Sequence, residues 1–337
     1  MQRETSVGNH FVARCYRTVG AAVLAMVAAV LAANSVFAQS SADKYPEKPI
    51  KIIVPFAPGG STDILARVIA QKLTENWGQP VIVETRPGAA TVIGTGAAAK
   101  ADPDGYTLII VVSNHTTNPA LHATMPYDAL KDFEPISLLG RAPIVIYTSP
   151  SFAPTDVKEL VALAKAKPGT LNFGSAGIAT MTHLTAEMFK VQAGIEMTHL
   201  VYRGGTPALS DVLAGQIPMT FATVTQALPQ YQAGLVGALG VAADKRHAAL
   251  PNVPTFREQG FDLLVTEWYG LLAPAGTPKP IIAKLNAEMR RILALPLGER
   301  VAAIDLIGSS PEELGNFLRS EIDRWSPIIK KLGLKAE

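Results

Sequence analysis

Cysteine is almost absent from this 337-residue chain. The single cysteine, Cys15, precedes an apolar run near the start of the chain, whereas a lipid-attachment cysteine would follow such a run. One cysteine excludes an internal disulfide framework. Hydrophobic residues make up 48% of the chain, so packed cores can form without covalent staples. The length predicts about two domains.

Metal-binding and catalytic motifs are missing as well. None of the histidines after residue 38 is paired at metal-binding spacing with another histidine or a cysteine, so we expect no metal site. Gly94-Thr95-Gly96 lacks the third glycine of a dinucleotide fingerprint. Gly174 lies directly beside Ser175, which breaks the Gly-x-Ser-x-Gly pattern of a hydrolase. The sequence therefore predicts no catalytic residue and no cofactor.

The first 38 residues have the organisation of a secretory signal peptide. Arg3, Arg14 and Arg17 form a basic region, and residues 19–33 form an apolar run. Small residues at Val36 and Ala38 predict cleavage after Ala38. The alternative is a membrane anchor, but the run is short for a span of about 20 residues. We expect a periplasmic protein.

Excess positive charge is lacking once that segment is removed. Removal takes three of the 30 basic residues and one of the 28 acidic residues. The remaining chain carries no net charge, which argues against nucleic acid or an anionic membrane surface as a partner.

Two glycine-rich loops carry most of the functional information. Residues 54–63 read VPFAPGGSTD and residues 172–180 read NFGSAGIAT. Each follows an apolar strand-like run and opens an amphipathic helix, with Ser61 or Thr62 as the predicted cap of the first helix. Neither loop contains Lys or Arg. Helix N-termini bind anions through backbone N–H groups. The two loops therefore predict that a small anionic ligand binds between them.

Strands alternate with helices along the chain, which predicts βαβ units and an α/β fold with mostly parallel sheets. The best division is a discontinuous first lobe (45–143 plus 267–337) and a second lobe (144–266). Trp268 and Tyr269 fall where the chain returns to the first lobe, and we expect them to be half-buried.

Nearly the whole chain after residue 45 resembles the Bug-type extracytoplasmic receptors of the tripartite tricarboxylate transporter family. The resemblance rests on the order and number of matching segments. They are YPEKPI (45–50), VPFAPGGSTD (54–63), RPGA (86–89), PDGYTL (103–108), YRG (202–204), PNVPT (251–255) and GLLAPAGTP (270–278).

This resemblance implies a two-lobed periplasmic-binding-protein-like fold that closes on a carboxylated solute. It implies a monomer that delivers its ligand to an inner-membrane permease. The ligand-binding residues it implies come from both loops, from the end of the third strand and, for Thr223, from the segment that follows Phe221. They are Phe56, Gly59, Gly60, Ser61, Thr62, Asp63, Ser113, Asn114, Ser175, Ala176, Gly177, Thr180 and Thr223.

Two departures from the family pattern bear on the ligand. Residues 89–91 read Ala-Ala-Thr where many relatives have two glycines after the alanine. Phe221 is followed by Ala222 and Thr223, whereas many relatives have an aspartate after the phenylalanine. Because an aspartate there could bind an amino group, we expect a di- or tricarboxylate or an aromatic acid without a cationic amine.

Two alternative functions remain open from the sequence. A receptor of this kind could report its ligand to a signalling protein instead of a permease. An exported α/β hydrolase would need a serine beside a histidine, and Ser175 with His183 is the one pair on offer. His183 is more simply a packed helix residue, and Arg203 fits the ligand cleft and the protein surface equally well.

Overall fold

The computed structural model describes residues 44–335, and every strand and helix below lies within residues 48–335. The predicted signal peptide, residues 1–38, lies outside the described residues. Among the described helices, none is both long enough and apolar enough to cross a membrane.

Ten strands join into one sheet. Most are short runs of apolar and β-branched residues with buried side chains, as expected for strands covered by helices. The strands are β1 (Ile50–Val54), β2 (Val81–Thr85), β3 (Thr107–Val111), β4 (Phe133–Thr148), β5 (Asn172–Ser175), β6 (Thr198–Val201), β7 (Met219–Thr223), β8 (Gly237–Val241), β9 (Thr266–Pro274) and β10 (Asp305–Leu306).

The strand order is β2-β1-β3-β9-β4-β7-β5-β6, with β8 and β10 also paired to β4. Strands of the βαβ units are parallel: β1 pairs with β2 and β3, and β5 pairs with β6 and β7. Every antiparallel pair involves β4 or β9. The fold is therefore α/β, with two parallel groups joined through long antiparallel strands.

Strand β4 links the two groups without a break. Its residues 133–143 pair with β9, and its residues 144–148 pair with β7. The predicted lobe boundary between residues 143 and 144 thus falls inside β4, and the predicted boundary between residues 266 and 267 falls at the start of β9. The exact lobe boundaries, 45–143 plus 267–337 and 144–266, stay a prediction.

Nine α-helices flank the sheet within the described part of the chain. Two of them, at residues 114–121 and 224–232, are absent from the sequence-based prediction. The helices are α1 (Ser61–Trp77), α2 (Val92–Ala99), α3 (Asn114–Leu121), α4 (Val157–Ala166), α5 (Met181–Ala193), α6 (Gly205–Leu213), α7 (Val224–Gln232), α8 (Lys279–Leu293) and α9 (Pro311–Lys331).

The buried carboxylate of Glu321 on helix α9 connects this helix to β9. The indole N–H groups of Trp268 and Trp325 both donate to Oε2 of Glu321, at 3.2 and 2.9 Å. Trp268 and Tyr269 are fully buried, so the expectation of half-buried aromatics is wrong. They lie on β9, which is covered on both edges by β3 and β4. Full burial of a large apolar side chain stabilises the fold by about 1.5–3 kcal/mol.

Candidate functional site

Four helices begin at the wall of one small cavity of about 30 Å³, the inner cavity. They are α1, α5, α6 and α7, and the residue before each of them lines the cavity. Each helix N-terminus carries roughly half a positive elementary charge. The sequence predicts two such N-termini, and the fold brings four together. The lining cap residues are Gly60, Thr180, Gly204 and Thr223.

Most of these N-termini have uncapped amides. Gly60, Gly204 and Thr223 form no side-chain cap bond. Helix α1 begins at Ser61 after Gly60, so the prediction that Ser61 or Thr62 caps it is wrong. Only α5 is capped by a side chain, because Thr180 Oγ1 accepts from the His183 N–H. The N–H groups at the starts of α1, α6 and α7 thus remain available as donors to an anion.

Polar side chains on α7 and just before it add to this set. Thr223 Oγ1 and Gln226 Nε2 are buried and have no hydrogen-bond partner among residues 44–335. Both residues line the inner cavity. A Cβ at Gly205 would come within 2.0 Å of the Gln226 side-chain amide. The absence of a side chain at Gly205 therefore provides the space for Gln226.

Glu267 is the one ionisable residue among those that line the inner cavity. Its Oε1 accepts from the backbone N–H groups of Ser113 and Trp268, at 3.1 and 3.2 Å. Its Oε2 lies 3.2 Å from Ser113 Oγ. Burial raises the pKa of Glu267 to about 7, although these hydrogen bonds oppose the rise.

A larger space, the outer cavity, has a volume of about 190 Å³. A cavity of about 150 Å³ is enough to hold a benzene ring. The walls are mainly apolar, and Arg203 and His122 are the residues that can carry positive charge. Arg203 is exposed, and no carboxylate within the described residues forms an ion pair with it. The lining residues also include Pro55, Phe56, Leu121, Ile178, Val201 and Tyr202.

Each predicted loop is hydrogen-bonded to a helix from the other parallel group of strands. Thr206 Oγ1 donates to the Pro58 carbonyl, at 3.3 Å. Asn114 Nδ2 donates to the Ile178 carbonyl at 3.4 Å, and Thr117 Oγ1 donates to the Ala179 carbonyl at 3.0 Å. Hydrogen bonds therefore connect α3 to the second loop, and the first loop to α6.

Eight of the thirteen predicted site residues line the cavities. Phe56 and Ala176 contribute to both, and Gly177 lines the outer cavity. The others line the inner cavity: Gly60, Ser61, Thr62, Thr180 and Thr223.

The remaining five predicted residues line neither cavity. Gly59 donates its N–H to Asp63, whose Oδ2 also accepts from Arg67, both at 2.9 Å. This bond holds the turn at Gly59, where a φ of +83° favours glycine. Ser113 contacts Glu267, as described above, and Asn114 bridges to the second loop. These contacts connect four of the five residues to the loops and to Glu267, and the part of all five in ligand binding stays a prediction.

Ser175 lies beside two stacked histidines, the buried His183 and the half-buried His199. Its Oγ lies 2.6 Å from Nε2 of His199, and His199 stacks on His183 with ring centroids 3.9 Å apart. The partner of Ser175 is thus His199, and Ser175 and His183, the pair that a hydrolase would need, form no hydrogen bond with each other. His183 is packed, and its Nδ1 accepts from the Ala179 N–H. Ser175 is fully buried, so its hydroxyl is out of reach of a substrate carbonyl.

The sequence-based prediction misses several cavity residues. Gln226 lies on α7, whose pattern is interrupted by Pro229, and no helix is predicted there. Glu267 precedes the Gly-Leu-Leu segment of β9 and reaches the cavity only because β9 pairs with β3. Gly204 and Gly205 follow Arg203 in a segment that the sequence analysis singles out. The helix that begins at this point is the sequence signal from which these two cavity residues could have been predicted.

A family comparison covers most of the chain. The model of the tripartite tricarboxylate transporter family receptor, TctC, matches residues 65–334.

Solved structures are similar over nearly their full length. BugD, a periplasmic binding protein, has a TM-score of 0.83 and 33% sequence identity, covering 87% of this chain and 100% of its own. Rpa4515 of R. palustris, solved with adipate, has a TM-score of 0.83 and 32% identity, covering 86% and 99%. MatC (Rpa3494) from Rhodopseudomonas palustris, with bound malate, has a TM-score of 0.79 and 31% identity, covering 85% and 100%.

Proposed function

The chain belongs to the tripartite tricarboxylate transporter receptor family, and on that premise we propose that it captures a small dicarboxylate by holding one carboxylate in the inner cavity. Its relatives are solute-binding receptors and not enzymes. The observation that carries the proposal is the convergence of four helix N-termini, three of them uncapped, on a space of about 30 Å³.

The size of the inner cavity fits one carboxylate group and not a whole ligand, since a single water needs about 10–15 Å³. Several charge-assisted hydrogen bonds from backbone amides replace a salt bridge there. Thr223 and Gln226 supply further donors from buried positions. The rest of the ligand extends into the outer cavity, where its second carboxylate approaches Arg203.

The chemistry of the outer cavity supports an aliphatic dicarboxylate as the first choice. Its apolar wall suits methylene groups, and its exposed cationic group suits a terminal carboxylate. Similar receptors have been solved with adipate and with malate. A tricarboxylate or an aromatic acid is the next choice. Amino acids are disfavoured, because Ala222 and Thr223 offer no carboxylate to an amine, and both oxygens of Glu267 are already hydrogen-bonded to Ser113 or Trp268.

Capture requires the two sides of the cleft to close on the ligand. We propose that residues 45–143 plus 267–337 move against residues 144–266 and that the ligand favours the closed form by bridging them. The signal peptide is removed after Ala38, and the receptor works as a monomer in the periplasm. An inner-membrane permease then accepts the ligand from the closed form.

A thermal-shift screen tests the ligand class. Mono-, di- and tricarboxylates, aromatic acids and amino acids are compared at equal concentration. A ligand at about 100 times its dissociation constant adds about 2.7 kcal/mol to the free energy of unfolding, which raises the melting temperature by several degrees. We expect the largest shifts with dicarboxylates. Shifts with amino acids alone would contradict the proposal.

A matched pair of variants tests the inner cavity. Thr223 and Thr225 lie two residues apart, both are buried, and both Oγ1 atoms lack a partner in the described structure. Only Thr223 lines the cavity. We expect Thr223→Val to raise the dissociation constant by about 5- to 30-fold, the equivalent of about 1–2 kcal/mol, and Thr225→Val to leave it unchanged. Calorimetric titration measures both, and equal effects would contradict this placement of the ligand.

A further inference from the structure

Glu267 places an acidic group in a cavity built to attract anions. The side chain is 6% exposed and lines the inner cavity together with the starts of α1, α6 and α7. No lysine or arginine is among the residues that line this cavity. An ionised Glu267 would repel an entering carboxylate at short range, because two carboxylates in one dry site cannot both stay charged without a large penalty.

The hydrogen bonds of Glu267 allow it to be charged or neutral. Oε1 faces two backbone N–H groups, from Ser113 and Trp268, and these can only donate. Oε2 faces the hydroxyl of Ser113, which rotates and can donate or accept. A proton can therefore reside on Oε2 while Oε1 keeps both of its donors, and no buried group loses its partner.

The charges around Glu267 favour the neutral form. After burial, the charge of Glu321 on α9 contributes to the raised pKa of about 7. Arg324 lies beside Glu321, 3.8 Å away, and not beside Glu267. Tyr269 on β9 is neutral, because burial and the charge of Glu267 raise its pKa.

The helices around the cavity bring no unpaired lysine or arginine to it. On α5, Lys190 is ion-paired with Glu187 at 2.8 Å, and His183 Nε2 lies 3.6 Å from the same carboxylate. On α1, Arg67 is ion-paired with Asp63. On α3, burial lowers the pKa of His115 to about 4, so this histidine is uncharged near neutral pH. Helices α6 and α7 contribute Gly205 and Gln226 to the cavity wall, and neither carries charge.

We propose that Glu267 couples ligand capture to proton uptake: it takes one proton from solvent when a carboxylate enters the inner cavity, and the two carboxyl groups share that proton. The proposal rests on the proposed function, because it needs an anionic ligand in this cavity. Glu267 is thus a specificity residue: a ligand carboxylate binds in the inner cavity only when it forms a pair with the protonated carboxyl group of Glu267.

The direction of the pH dependence follows from linkage. Below pH 7 Glu267 is already protonated in the free receptor, so the affinity is constant there. Above pH 7 the free receptor must first take up a proton, and the entering carboxylate raises the pKa of Glu267 further. The dissociation constant then rises by up to tenfold per pH unit until the pKa of the complex is passed. Ordinary ligand carboxyls are ionised throughout this range.

Calorimetric titration of the protein with adipate and with malate, from pH 6 to pH 9, tests the proposal. Repeating each titration in buffers of different ionisation enthalpy counts the protons taken up. We expect close to one proton per ligand at pH 8 and close to none at pH 6. The Glu267→Gln variant, with a neutral isostere, should bind with a dissociation constant that is the same at pH 6 and pH 9.

The control is Glu321→Gln, which removes a buried carboxyl that lies outside the inner cavity. This variant should keep the proton uptake and a pH-dependent affinity, with the onset moved to lower pH because the charge of Glu321 contributes to the raised pKa of Glu267. Equal affinity at all pH values with no proton uptake by the unmodified protein would overturn the role of Glu267 and leave the proposed function intact. Retention of the pH dependence in Glu267→Gln would also overturn it. Failure of every carboxylate to bind at any pH would overturn both.

Discussion

Three consecutive residues in the wall of the outer cavity have backbone conformations that glycine usually adopts. Ala89, Ala90 and Thr91 have φ values of 46°, 48° and 80°. A non-glycine residue in the left-handed region costs of order 1–3 kcal/mol. The surrounding structure holds the segment in place, since Asn118 Nδ2 donates to the Ala90 carbonyl at 2.8 Å.

Replacing one of these residues by glycine should stabilise the protein. Ala90→Gly removes the clash between Cβ and the backbone, and we expect the free energy of unfolding to rise by about 1 kcal/mol after the entropic cost of glycine. The melting temperature measured by calorimetry should rise by a few degrees.

The control for Ala90→Gly is an alanine in an ordinary helical conformation. Ala162 is exposed within α4, so Ala162→Gly should lower the free energy of unfolding by about 1 kcal/mol. A loss of stability in both variants would mean that the left-handed segment is not strained.

At the scale of the element, helix α9 has a complete start signal. Ser310 Oγ accepts from the Glu313 N–H at 3.2 Å, and the Glu313 carboxylate accepts from the Ser310 N–H at 2.7 Å. This reciprocal pair satisfies two amides that the helix leaves open. The same helix carries Glu321 and Trp325, so its stability supports the buried contact with Trp268.

We expect Ser310→Ala to lower the free energy of unfolding by about 1 kcal/mol, because one helix amide loses its acceptor. Denaturant unfolding measures the change. Ser320 is an exposed serine within the same helix, whose Oγ bonds the Phe317 carbonyl one turn back, and Ser320→Ala should have little effect on stability. Adipate affinity should stay unchanged in both variants.

Elements with strong local signals are the ones that sequence alone predicts. Helix α9 combines a cap, an N-terminal proline and an amphipathic pattern, and α1 follows an apolar strand and a glycine pair. Helices α3 and α7 escape prediction because each is short and contains a proline, Pro119 and Pro229. Strand β4 is predicted only in part, since residues 133–143 become a strand through pairing with the distant β9.

At the scale of the whole molecule, the closure proposed above implies that contacts across the cleft set the balance between open and closed forms. Thr117 Oγ1 on α3 bonds the Ala179 carbonyl in the second loop, and Thr117 is fully buried. Breaking such a bond costs about 1 kcal/mol. A cost in the closed form alone lowers the apparent affinity for the ligand.

We expect Thr117→Val to raise the dissociation constant for adipate about fivefold. Thr116, one residue earlier, bonds the Ser113 carbonyl on its own side of the cleft, so Thr116→Val should bind adipate like the unmodified protein. Small-angle scattering without ligand should show a larger radius of gyration for Thr117→Val. Unchanged binding by both variants would contradict a role of this bond in closure.

The residues of the candidate site fall into two groups: those that local sequence patterns predict, and those that only the assembled fold brings to the cavity. The first and second loops are predicted because their glycines, hydroxyls and helix starts are contiguous in the sequence. Glu267 and Gln226 come from β9 and α7, far along the chain, and only the assembled sheet brings them to the inner cavity. No local pattern distinguishes Glu267 from a surface glutamate.

The construction of the inner cavity has a consequence for how receptors of this kind diversify. In the proposed function its main donors are backbone amides at helix starts, which side-chain substitutions cannot remove while the helices persist. The outer cavity is formed largely by side chains such as Leu121, Val201 and Arg203. Mutations in the outer cavity can change the preferred solute step by step while carboxylate binding in the inner cavity is retained. New ligand preferences can therefore evolve without an intermediate that has lost binding.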